Sequence, residues 1–144
     1  MRIDGEWYEC DDGFIRPVIR GEILASDGTP LATPFLLDTG ADRTVIAAPD
    51  LAALSLDTAP PQDGLSGVGG PADSVLIETK ILLPTESGAS AVFRGEYAAF
   101  TNVESLEMSV IGRDILNMFA VIVDRPGHVV SLLTQRHRYR IVVS

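Results

Sequence analysis

Apolar and polar residues alternate with a period of two over much of this chain, and clusters of Gly, Pro, Asp and Ser break the alternation every several residues. Residues 7–10 read as a short strand, closed by an Asp11-Asp12-Gly13 turn. Residues 14–25 read as a longer strand, with Gly21 as a candidate bulge. Ser26-Asp27-Gly28-Thr29 is a hairpin signal, and residues 31–37 are the return strand. Further strands are expected over 44–46, 74–83, 91–100 and 108–111. In the 74–83 strand, Val75, Ile77, Thr79 and Ile81 share one face. A hairpin pairs 120–123 with 129–133 across Asp124-Arg125-Pro126-Gly127-His128. Two helices are short: 49–54, with Pro49 near its start, and 113–119, with Ile115, Leu116 and Phe119 at helical spacing. The pattern predicts one mainly β domain.

Against that background one position stands out. The apolar run Pro34-Phe35-Leu36-Leu37 delivers Asp38, followed at once by Thr39-Gly40-Ala41-Asp42. A carboxylate at the end of a buried strand is costly unless it is paired, hydrogen-bonded or neutralised. Chemistry is the usual reason for such a placement.

Composition narrows the function classes. The chain has 144 residues, 46% of them apolar but only 6% aromatic, so aliphatic side chains must fill the core. The formal charge is −9, and it is uneven: the last twenty residues hold four arginines and no acid. The acidic body argues against nucleic acid as a partner. The tail at 134–144, with Arg136, Arg138 and Arg140, reads as a solvated face, a nucleic-acid contact being the sharper alternative. No stretch is long and apolar enough to cross a bilayer, and the first twelve residues lack the apolar region of a signal peptide. Cys10 is the sole cysteine, which makes a reducing, cytoplasmic setting the expectation. One Cys and two His at no ligand spacing give no metal site, and no cofactor is expected.

Three separated segments carry a resemblance. They are Leu36 through Ile46 around Asp38-Thr39-Gly40, the Gly-rich Gly64-Leu65-Ser66-Gly67-Val68-Gly69-Gly70, and Val110-Ile111-Gly112-Arg113-Asp114-Ile115-Leu116. In this order and spacing they resemble the retropepsin family of aspartic proteases, over about residues 16–133. The resemblance implies an all-β closed barrel with one short helix in the C-terminal half. It also implies an aspartic endopeptidase acting on polypeptide substrates. Aspartic proteolysis needs two carboxylates sharing a proton. This chain has one Asp-Thr-Gly; the Asp-Gly pairs at Asp4, Asp12, Asp27 and Asp63 lack the Thr and the apolar lead-in. The second catalytic Asp38 must then come from another copy, in an isologous homodimer.

The resemblance also assigns supporting roles. Thr39 would bond across the two-fold axis, and Gly40 would let substrate backbone approach closely. Asp42 would pair with Arg113 and help receive the substrate. Residues 64–70 would be the flap, bringing Leu65, Gly67, Val68 and Gly69 onto the peptide. Ser66 and Pro71 depart from the viral flap pattern. The 120–133 hairpin is similar to the dimerising hairpin of cellular retropepsin-like domains. Apolar subsite walls are expected at Leu36, Val45, Ile46, Val68 and near Ile111. Asp114 reads only as a first-turn acid. Ala41 supplies no hydroxyl to the carboxylate, so the dyad is expected to titrate higher than one with such a donor. A non-catalytic dimerisation or peptide-binding module of the same fold stays open as the alternative.

Overall fold

The alternating pattern closes into a ring. The structure is a computed structural model describing residues 1–60, 66–67, 70–71, 73–134, 140 and 142–144, with 66–67 and 70–71 described by backbone alone. In chain order come β1 (Arg2–Asp4), β2 (Glu6–Glu9), β3 (Ile15–Leu24), β4 (Pro30–Leu37), β5 (Val45–Ile46), α1 (Ala48–Leu54) and β6 (Thr58–Ala59). Then follow β7 (Ser66–Gly67), β8 (Gly70–Pro71), β9 (Ser74–Pro84), β10 (Ser90–Phe100), β11 (Val110–Ile111), α2 (Arg113–Leu116), β12 (Ala120–Asp124) and β13 (Val129–Leu133). The main sheet has the order β2-β3-β4-β11-β5-β10-β9-β6, and an additional β3–β9 pairing joins it back on itself.

The ring encloses the core. Ile19, Ile23, Phe35, Ile46, Ile81, Leu83 and Ile111 are wholly buried, and Leu37, Ile77 and Ala99 join them. Thr79 also points inward, where its hydroxyl donates to the Leu24 carbonyl at 2.8 Å, so the buried polar atom is satisfied. Gly21 does not bulge. Its strand pairs in unbroken register from Val18↔Leu36 to Leu24↔Pro30. A Cβ at Gly21 would lie 2.7 Å from Leu83 Cδ2 and 2.9 Å from the Leu82 carbonyl oxygen. The glycine is there because β9 crosses β3 at this point, where Glu22 and Ile23 pair with Leu82 and Ile81.

A smaller sheet lies beside the ring in the order β1-β13-β12. Residues 2–4, which the hydrophobic pattern leaves outside any strand, pair with 131–133. The outer side of β1 is occupied, because Glu86 N–H donates to the Arg2 carbonyl at 3.0 Å and Arg2 N–H donates to the Glu86 carboxylate at 2.7 Å. That second bond holds the Glu86 carboxyl below its usual range. The outer side of β12 has no strand partner among the described residues.

Both expected helices form. The second ends at Leu116, short of Phe119, because i→i+3 bonds from Met118 and Phe119 tighten the chain into a turn. Phe119 then packs edge-on against Phe93 at 6.1 Å between centroids. α1 is held by Asp50, whose carboxylate accepts from Ser109 Oγ at 2.6 Å and Thr33 Oγ1 at 3.0 Å. No helix among the described residues is long and apolar enough to cross a membrane.

Candidate active site

Strand pairing carries Asp38 to the mouth of the sheet. Leu36 and Leu37 run parallel to Val110 and Ile111, and the Asp38 N–H continues the ladder to the Ile111 carbonyl at 3.1 Å. The chain then turns, with Ala41 N–H donating to the Asp38 carbonyl at 3.2 Å. Inside the turn Asp38 Oδ1 accepts from Gly40 N–H at 2.9 Å. The carboxylate is half-buried, while Thr39 and Gly40 are exposed.

Alternation separates two faces around this point. Leu37, Ile46, Ile111 and Ala99 enter the main core. The residues before them, Leu36, Val45, Val110 and Ala98, form a second apolar cluster with Phe100, Leu76 and Leu106. Cross-strand register makes this a row: Leu36 beside Val110, Val110 beside Val45, Val45 beside Ala98, Ala98 beside Leu76. Asp38 lies two residues beyond Leu36, on the row's side of the sheet. Of the expected subsite walls, Leu36 and Val45 therefore lie on the carboxylate's face. Ile46 does not; it is wholly buried on the other face, as Ile111 is, because the two-residue period turns it into the core, and near Ile111 it is Val110 that shares the carboxylate's face.

The loop after Asp38 is clamped to α2. A helix leaves its first N–H groups without internal partners. Here Arg113 N–H donates to the Ala41 carbonyl at 2.8 Å and Asp114 N–H to the Asp42 carbonyl at 3.2 Å. The Arg113 side chain spans the same loop, with Nη1 donating to the Thr39 carbonyl at 2.8 Å and Nη2 to Asp42 Oδ1. Exposed ion pairs contribute little stability; the value of this one is that two fixed contacts orient the loop. Gly112 lets the two segments meet, since a Cβ there would lie 2.4 Å from the Arg43 carbonyl carbon.

Residues 15–123 match the family model described as retroviral aspartyl protease. The chain belongs to that family. Among solved structures it is similar to the EIAV protease complexed with the inhibitor HBY-793, at 24% identity and a TM-score of 0.52, covering 71% of this chain and 86% of that one. It is also similar to a retropepsin-like aspartic protease from Rickettsia conorii, at 16% identity and a TM-score of 0.55, covering 92% and 88%. Identities this low speak for the fold, which is the all-β retropepsin-like one. No curated protein matches the chain significantly.

One part of this aspartyl protease site escapes the sequence pattern. Asp114 is more than a first-turn acid. Its Oδ1 accepts from Thr44 Oγ1 at 2.7 Å, from Thr44 N–H at 3.0 Å and from Ile115 N–H at 2.9 Å. Thr44 Oγ1 in turn accepts from the buried Gly112 N–H at 3.1 Å. The available signal is Thr44 itself, a polar residue set against the apolar pair that follows it. Thr44→Val should leave Gly112 N–H and one carboxylate contact unmet, costing about 1–3 kcal/mol. Urea unfolding would measure the loss, and an unchanged midpoint would contradict the role given to Thr44. Nearby, Tyr97 donates to the Phe93 carbonyl at 2.8 Å. Burial, and then the Asp114 charge, push its phenol up to about 12, so it stays a neutral donor.

Where the flap is expected, β7 and β8 pair antiparallel, Ser66 with Pro71 and Gly67 with Gly70. Leu65, Val68 and Gly69 lie outside the described residues.

Proposed function

We propose that the chain is an aspartic endopeptidase whose active site forms between two copies of itself. The observation that supports this most is the placement of Asp38. A half-buried carboxylate ends a buried strand, is pinned by a backbone N–H, and sits beside an apolar row that is buried at Val45 and Val110 and partly open at Leu36 and Leu76. One such acid per chain leaves the chemistry incomplete. Two at a symmetry axis share one proton, because like charges about 3 Å apart cannot both ionise.

The reaction then follows from acid–base roles. The ionised Asp38 takes a proton from a water lying between the pair. The water oxygen bonds to the scissile carbonyl carbon while the protonated Asp38 gives its proton to the carbonyl oxygen. The tetrahedral intermediate collapses, the C–N bond breaks, and a proton moves to the leaving amine. Thr39 holds the paired loops together, Gly40 admits the peptide backbone, and Asp42, fixed by Arg113, receives it. The expected flap, which includes β7 and β8, covers the peptide and excludes water. The substrate lies extended, and its apolar side chains meet Leu36, with Val45 and Val110 packed beside it.

The edge of β12 that has no strand partner among the described residues is the dimerisation surface in this reading. Ala120-Val121-Ile122-Val123 carries none of the usual guards of an open edge: no Lys, no Pro, no bulge. β1 pairs with β13 within its own chain, and Glu86 covers its other side. Association through β12 about a two-fold axis leaves these pairings intact.

The test is cleavage of a peptide library by the purified chain from about pH 3 to about pH 8. Cleavage should be blocked by a transition-state analogue with a central hydroxyl, which takes the place of the water. Activity reaching mildly acidic or near-neutral pH is the outcome expected with Ala41 beside the dyad; a profile confined below about pH 3 would contradict that part. No cleavage at any pH would favour a non-catalytic peptide-binding module instead.

A further inference from the structure

We propose that Arg43 selects acidic side chains in the substrate, on both sides of the scissile bond. The proposal rests on the peptidase reading above and adds a substrate class to it.

Arg43 follows Asp38 by five residues on the same loop, two residues before β5. Thr44 is buried toward Asp114 and Val45 belongs to the row beside the carboxylate. Arg43, in the bend between Asp38 and Val45, is exposed. Its backbone is wedged against Gly112, where an added Cβ would lie 2.4–2.9 Å from Arg43 C, O and N. A fixed main chain thus carries an exposed side chain at the edge of the site.

Most of the other described arginines are already engaged. Arg2, Arg16, Arg20, Arg94 and Arg113 each pair with a carboxylate, and Arg125 lies over the Trp7 ring. Among the described residues Arg43 has no carboxylate partner, as Lys80, Arg125 and Arg140 have none, and of these it is the one on the Asp38 loop. The acids nearest to it are engaged elsewhere: Asp42 by Arg113, Asp114 by Thr44 and by the Ile115 N–H. A chain with a formal charge of −9 therefore presents an exposed guanidinium on the loop that carries Asp38. Guanidinium binds carboxylate with two parallel hydrogen bonds, a geometry that Lys cannot match. The acidic body repels an acidic peptide only weakly beyond about 8 Å at physiological salt, so contact at Arg43 decides. Because the site needs two copies, it holds two such arginines, related by the two-fold axis. The preference should then appear on both sides of the cut.

The experiment compares kcat/KM for matched peptides carrying Glu, Gln or Lys at single positions on either side of the scissile bond. The proteins are wild type, Arg43→Gln and Arg43→Glu, each checked by thermal unfolding. Using ratios within each protein removes any general loss of activity. Wild type should prefer Glu over Gln by about fivefold per matched acid, within the range of exposed ion pairs, and less at high salt. Arg43→Gln should abolish the preference, and Arg43→Glu should turn it toward Lys. Cleavage without an acidic preference in wild type, or a preference that persists in Arg43→Glu, overturns the proposal while leaving the peptidase reading intact. Absence of cleavage in all three proteins, for every peptide, overturns both.

Discussion

Asp38→Asn should abolish peptide cleavage while leaving the folded dimer in place. Asn keeps the shape of the side chain and a carbonyl oxygen for the Gly40 N–H, so the turn at 38–41 has no reason to change. It cannot take a proton from water. Acid–base catalysis of this kind contributes roughly 10²–10⁴-fold, so kcat should fall by at least that. Mixing distinguishes one acid per site from two. If both subunits supply Asp38, equal amounts of wild type and variant, allowed to exchange, leave about one quarter of dimers fully wild type by mass action. Activity per wild-type chain should drop by about half under the same statistics. Activity that scales simply with the amount of wild type would show that a single chain suffices, and the shared-dyad mechanism would fall.

Val123→Glu should dissociate the enzyme. Val123 is exposed at the end of β12, next to Asp124, so the substitution disturbs little of the core. In a two-fold pairing of β12 with its copy, the new acid and Asp124 place like charges on both strands of a short interface. Sedimentation should show monomers at concentrations where wild type is dimeric. Specific activity should fall with dilution far more steeply than in wild type and return at high concentration. A dimer as tight as wild type would move the interface away from this edge. Thermal unfolding serves as the control, because a loss of activity with a lowered melting point but no dissociation would mark simple damage to the fold.

The legible parts of this molecule are those whose signals are local. The β3–β4 hairpin, the long strands β9 and β10, and the Asp38 turn all announce themselves through alternation and turn chemistry within a dozen residues. β1 and β6 do not. Each exists because a distant strand supplies its partner, residues 131–133 for β1 and Leu76–Ile77 for β6. Nothing in Arg2-Ile3-Asp4 alone specifies extension. The subsite walls fail in the same way. Ile46 and Val45 are equally apolar, and only the pairing of Val45 with Val110 and Ala98 decides which of them faces Asp38. Gly21 invites a bulge by its identity, but its reason lies across the ring in Leu82 and Leu83. Asp114 shows that a residue with an adequate local explanation can still have a second partner, here Thr44, seventy positions away.

The pairing of Arg2–Asp4 with Ser131–Leu133 ties together segments separated by nearly the whole described sequence. During synthesis, the first strand emerges from the ribosome long before its neighbour exists. The sheet bearing the exposed edge of β12 can be completed only once residue 133 is out. If the dimer proposed above forms through that edge, a nascent subunit has no finished surface with which to recruit a second copy, and any hydrolytic capacity stays latent until translation has passed the last strand.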